Sequence, residues 1–384
     1  MMDSSNQEGE LKKKTTEVKT FPVPYALEKI KENITITTNT PSKPSTEQII
    51  NQAFQFHLKG NIPEATKYYQ YCIKQGFNNH LVFSNYGAIL QGLGKLEEAE
   101  LSTRKAIEIK PDFADAHLNL GNILSDLGKL EEAELSYRKA IEIKPDFADA
   151  YSNLGNVLRG LGKLEEAEFS YHKAIEIKPY YADAHYNLGN ILRDLGKLEE
   201  AEISTCKAIE LNPDYAKAHY NLGLILSDLG KLQEAELSTR KAIEIKPNYA
   251  DAAFNLYGLA NSIEEAEERI NQCLKIDNNY LKAILTKSAL TLHQGDESLF
   301  DNLLKSTYKD HPYIRSFKWV SNLPKLPELF FHRWSLFDSM IKKSIKDRPL
   351  YEFGVWRGES FKYLIKTFKK GYGFDTFEGL PEDW

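Results

Sequence analysis

Residues 78–247 are five consecutive 34-residue segments built on one pattern, the last four copies close to identical, and this period constrains the fold more than any other feature. Every copy turns on a Leu-Gly-Lys step and closes on Lys-Ala-Ile-Glu followed by proline. A unit of that length is one supersecondary element, too small to bury its apolar face alone. Neighbouring copies must therefore stack on each other.

The copy spanning 112–145 shows what the unit is. Leu120, Gly121 and Leu124, then Ala133, Tyr137 and Ala140, keep to one face of each of two helices. Leu127, Gly128 and Lys129 break the run between them. Gly121 and Ala133 are small where the helices must approach, and Pro145 ends the second helix. The pattern resembles the tetratricopeptide repeat, which implies an all-α fold: a superhelical solenoid of helical hairpins whose first helices line an inner groove. Weaker copies flank the five. Residues 46–79 keep Gly60, Ala65, Tyr69 and Cys72, and residues 250–280 keep Leu256, Ala266 and Cys273 with about three residues missing at the turn. Seven units over 46–280 are expected, then a capping hairpin and linker over 281–325. Residues 1–45, rich in Lys, Thr, Ser, Glu and Pro around the short island FPVPYALEKI, are expected to be disordered.

A formal net charge of −6 favours neither nucleic acid nor a membrane surface as partner. No segment reaches the roughly 20 apolar residues of a membrane span, and MMDSSNQEGELKKK lacks the apolar core of a signal peptide. A cytoplasmic location is the expectation. Cys72, Cys206 and Cys273 are scattered at spacings that suit packing rather than metal ligation or disulfides.

The first helices repeat an asparagine: Asn85, Asn119, Asn153, Asn187, Asn221 and Asn255, with a second row at Asn122, Asn156 and Asn190. Residues three apart share a helix face, so the rows predict one amide-lined strip, able to donate to and accept from the backbone of an extended peptide. Near-identical copies would equally reproduce an asparagine that only packs. The strip resembles the asparagine ladder of the O-linked N-acetylglucosamine transferases, which implies peptide binding. Nothing after Ser306 resembles their catalytic lobes, so transferase activity is a remote alternative. Asp115, Asp149, Asp183 and Asp251 form an acidic row and Asp126, Asp194 and Asp228 another, against Lys217, Arg159 and Arg193. A neutral or basic extended partner is expected in the groove. His117, His185 and His219 occupy a position that packing accounts for.

After Ser306 the character changes. Residues 309–370 hold 14 Lys or Arg and 6 Asp or Glu, a local +8, and Phe330, Trp334, Phe337, Ile341 and Ile345 recur at helical spacing. LYEF then reads as a strand, GVWRGES as a tight turn, FKYLIKTFKK as a helix and GYGFDTF as a second strand. Gly354 and Gly358, with Asp375 following Gly354 by 21 residues, suit the opening of a nucleotide-binding α/β unit. The segment over 326–384, above all GFDTFEGLPEDW, resembles the start of S-adenosylmethionine-dependent methyltransferases similar to macrocin O-methyltransferase. That resemblance implies a short Rossmann-like α/β fragment with Glu352, Gly354, Gly358 and Asp375 lining a methyl-donor site. Trp356 replaces the usual middle glycine of the turn. Two strands alone do not make the doubly wound sheet such chemistry requires, so methyl transfer is not expected of these residues by themselves. The sequence reads first as a protein-interaction scaffold, with a repeat-targeted methyltransferase as the alternative. It nominates no catalytic residue and no metal site.

Overall fold

The computed structural model describes residues 45–321, the isolated positions 339 and 342, and the segments 350–353 and 371–374. The chain divides into two compact units, residues 1–161 and 162–384.

In the first unit, helices pair as α1 (Thr46–Leu58) with α2 (Ile62–Lys74), α3 (His80–Gly92) with α4 (Leu96–Ile109), and α5 (Ala114–Asp126) with α6 (Leu130–Ile143); α7 (Ala148–Gly160) follows. Gly121 shows how tightly a hairpin closes. A Cβ at that position would lie 2.5 Å from the Tyr137 ring, and Tyr137 is buried with its hydroxyl donating to Asn122 at 2.7 Å. Gly128 supplies the turn with φ +74°, where the amides of Gly128 and Lys129 donate back to Ser125 and Leu124. Only glycine takes this conformation without strain. Ala116, Ala133 and Ala140 are fully buried between the helices. Lys129, just past the turn, reaches Glu100 of the preceding hairpin at 2.9 Å. Ahead of α5 the turn is held from within, since His117 Nε2 donates to the Pro111 carbonyl at 2.9 Å.

The second unit opens with α8 (Leu164–Ile177) and continues with α9 (Ala182–Asp194) and α10 (Leu198–Leu211), then α11 (Ala216–Asp228) and α12 (Leu232–Ile245). The same seams recur: Lys197 on Glu168 and Lys231 on Glu202, each at 2.7 Å, and His185 and His219 on the carbonyls of Pro179 and Pro213. The shortened repeat has its physical consequence here. Helix α13 stops at Ala250–Asn255 and a 3-10 turn, Leu256–Leu259, carries the chain to α14 (Ile263–Ile276). Buried Arg269 stitches the irregularity, donating to the Leu256 carbonyl at 2.6 Å and pairing with Glu236 and Glu265.

Helices α15 (Leu281–His293) and α16 (Ser298–Leu304) follow, within the stretch expected from the sequence to form a capping hairpin. A further helix, α17 (Pro312–Ser321), packs on α15 and buries Ile314 with Leu285, Leu292, Phe300 and Leu303. Strands β1 (Leu350–Phe353) and β2 (Gly371–Phe374) pair in parallel, with Leu350 opposite Gly371 and Phe353 opposite Phe374. Glu352 lies in β1, opposite Gly373. Gly354, Gly358 and Asp375 lie outside the described residues, as does most of 322–349. No helix of the described residues is long and apolar enough to cross a membrane.

Candidate functional site

The asparagine rows do not form one uniform strip. Asn85, Asn119 and Asn221 are buried, while Asn153, Asn187 and Asn255 are half-buried. Successive first helices pack on one another, α3 on α5 and α9 on α11, and this register turns the first row toward the neighbouring hairpin. Its amides are used there. Asn119 donates to Ser84 at 3.1 Å, Asn221 to Thr205 at 3.4 Å and Asn153 to Asn122 at 2.9 Å. The Asn255 amide nitrogen, beside the 3-10 turn, is buried without a hydrogen-bond partner among the described residues. In the second row Asn156 is exposed and Asn122 and Asn190 half-buried, so this row is the more accessible of the two.

The acidic rows are also partly engaged. Asp126 accepts from Gln91 and Asp228 from Arg193, both at 2.7 Å. Asp183 and Asp251 accept from the hydroxyls of Tyr215 and Tyr280, at 2.6 and 2.7 Å. Burial holds the Asp115 carboxyl above its usual range, against the pull of Lys144 and Lys110.

Those two tyrosines belong to a cluster that the asparagine pattern does not reveal. In the second unit, Tyr186 on α9, Tyr220 on α11 and Phe254 on α13 occupy equivalent positions. Each meets an aromatic ring at the entry of the next first helix. Tyr186 lies 5.1 Å from Tyr215, Tyr220 5.1 Å from Tyr249, and Phe254 5.4 Å from Tyr280, all tilted pairs. All six rings are half-buried, each with part of its surface open to solvent. Burial, and then the neighbouring carboxylates Asp183 and Asp251, raise the phenol pKa values of Tyr215 and Tyr280. These hydroxyls stay protonated donors at any physiological pH.

The same position in the first unit holds Ser84, Leu118 and Ser152, all buried. The signal lay in the repeats: where near-identical copies abruptly disagree, packing no longer dictates the residue. An aromatic strip edged by carboxylates, amides and the Arg193–Asp228 pair can stack flat or cationic side chains and hydrogen-bond an extended backbone. Among the described residues no cluster of His, Cys, Asp or Glu could hold a metal ion.

Family models of the tetratricopeptide repeat match residues 82–113, 103–134, 121–162, 155–196, 189–230 and 216–249. Among solved structures, YrrB, a TPR protein with an unusual peptide-binding site, is 30% identical over 48% of this chain and 97% of its own, with a TM-score of 0.41. MamA is 26% identical over 43% of this chain and 96% of its own, TM-score 0.40. The Cut9–Hcn1 hetero-tetramer of the APC/C is similar in fold alone, 15% identical over 64% of this chain and 49% of its own, TM-score 0.53. No curated protein sequence matches the chain.

Proposed function

Because residues 82–249 of this chain are tetratricopeptide repeats, a family that mediates protein–protein interaction, we propose that it is a scaffold whose second unit holds an extended, neutral or basic segment of a partner protein. The aromatic strip of Tyr186, Tyr220 and Phe254 with its Asp183 and Asp251 edge carries this reading. A lysine or arginine laid over a tyrosine face gains about 0.5–2 kcal/mol, the more so as water is excluded. The nearby carboxylates add to the attraction, and the accessible asparagines, Asn187 and Asn190, serve the peptide backbone without regard to its side chains. An acidic segment would meet Asp183 and Asp251 as like charges.

Selection of random peptides on the purified chain tests this. Enriched peptides should carry Lys, Arg or Pro and lose at least tenfold in affinity against a Tyr186→Ala, Tyr220→Ala variant that keeps its helical circular dichroism. Enrichment of acidic peptides, or equal binding to the variant, would refute it.

A second reading is a donor-binding fragment of methyltransferase type, supported by the parallel pairing of β1 and β2, the arrangement a βαβ unit requires. Calorimetric titration with S-adenosylmethionine tests it: heat abolished by Asp375→Ala favours that reading, and no heat at high donor concentration removes it.

A further inference from the structure

Five second helices each hold one large apolar side chain out in solvent. In the first unit these are Leu101 and Leu135, 72% and 69% exposed; in the second, Phe169, Ile203 and Leu237, 61%, 71% and 70% exposed. They recur every 34 residues, and a single such residue would need no explanation. A row is different, because it persists in copies otherwise edited toward charge.

The surroundings of each residue are ordered. On α6, Glu131 and Glu132 lie one turn before Leu135 and Arg138 and Lys139 one turn after, so the exposed face reads acid, apolar, base along the helix axis. Helix α4 repeats the pattern in full; α12 keeps one acid and both bases, while α8 and α10 keep both acids and one base. These ions already have partners within the chain, such as Arg138 with Glu134 at 2.8 Å, so the pattern is a field rather than a set of vacancies.

Beside the apolar residue lies a hollow. In the first unit it measures about 460 Å³ between α4 and α6, floored by His117 and Leu120. In the second unit an equivalent hollow of about 490 Å³ lies between α8 and α10, floored by His185 and Leu188. Most of the lining corresponds at two repeats' distance, Ile107 with Ile175, His117 with His185, Leu120 with Leu188 and Leu135 with Ile203, so knob and hollow recur with the repeat.

A face that carries its own knob, its own hollow and an acid-to-base gradient is complementary to itself in one orientation. Laid antiparallel on its duplicate, the acidic turn meets the basic turn and the apolar residues face the hollows; laid parallel, like charges would oppose. We propose that the exposed face of the second unit's second helices, α8, α10 and α12, pairs with the same face of a second copy of this chain, two-fold related, with Phe169, Ile203 and Leu237 of each seated on the hollowed face of the other. This surface is separate from the aromatic strip and does not depend on what that strip binds.

Sedimentation equilibrium of the full chain tests the pairing. The chain should be dimeric at about 100 μM. Ile203→Glu with Leu237→Glu should raise the dissociation constant at least tenfold while helicity and thermal midpoint stay those of the parent, as befits residues that are mostly exposed. Ile203→Ser with Leu237→Ser, a milder change, should weaken the dimer in the same direction and guards against misfolding of the first pair. A chain monomeric at all concentrations overturns the proposal. So does a dimer indifferent to both pairs, or one lost instead on Tyr220→Ala.

Discussion

Replacing Gly121 with alanine should destabilise the first unit although it improves the helix. The new Cβ would sit 2.5, 2.7 and 2.8 Å from three ring carbons of Tyr137, where carbon atoms rest at about 3.5–4.0 Å. The ring must therefore withdraw by about 1 Å. It has little room, being 2% exposed, and its hydroxyl is fixed on Asn122, which also accepts from Asn153. Overpacking of this kind costs about 1–3 kcal/mol, and disturbing the phenol–amide hydrogen bond adds about 1 kcal/mol. Alanine in place of a mid-helix glycine returns about 0.5–1 kcal/mol. The net expectation is a loss of about 1–3 kcal/mol. Because stacked repeats need not unfold as one, amide hydrogen exchange is the suitable assay. Protection over α5 and α6 should fall by one to two decades, at about 1.4 kcal/mol per decade, while α11 and α12 hold theirs. In a Tyr137→Ala background, itself destabilised, the same alanine should cost nothing and become mildly favourable. Unchanged or increased protection in the Gly121→Ala single variant would refute the close-approach argument.

Two further outcomes follow from the ion pairs and the thiols. Lys129 and then Arg104, against the opposing effect of burial, hold the Glu100 carboxyl below the ordinary glutamate range, so its stabilisation is present above about pH 4.3 and is lost as pH falls through the folded value. Glu100→Gln should therefore lower stability in urea titrations by at most about 1 kcal/mol at pH 7, with the difference from the parent shrinking as pH falls through the folded value and Glu100 is protonated. A constant difference across pH would mean the seam acts through shape rather than charge. Burial pushes the Cys273 thiol up to about 11 and raises that of Cys72 too, and both side chains are inaccessible. With an aromatic disulfide reagent at pH 8, Cys206, half-buried, should react first and the other two only on unfolding; prompt labelling of Cys72 or Cys273 would contradict their packing.

The hairpins were legible because the repeat states its own rules several times over. A small residue at 121 and 133, a turn at 127–129 and a proline at 145 each follow from backbone sterics, and the helices begin and end where those residues require. The cap was less legible. Helix α17 buries Ile314 within a segment whose composition is basic and aromatic, and no copy elsewhere in the chain shows what it packs on. The site divided along the same line. Repetition drew attention to the asparagines, yet repetition is also what packing produces, and the amides of Asn119 and Asn221 turn inward. Tyr186, Tyr220 and Phe254 escaped notice because no two neighbouring units of the first half share a residue type that would have announced the column.

The seams have a bearing on how such a chain can change over generations. Lys197 on Glu168 and Lys231 on Glu202 are one contact written twice, and His185 and His219 each reach back 6 residues to the proline that closes the preceding copy. Removing or duplicating a 34-residue stretch within 180–247 would leave the lysine–glutamate and histidine–proline seams with partners of the same kind. Those seams set no barrier to lengthening or shortening by recombination between copies. Reach is then a heritable variable, tuned in whole steps, while the few positions at which the copies disagree are left to record what each step was for.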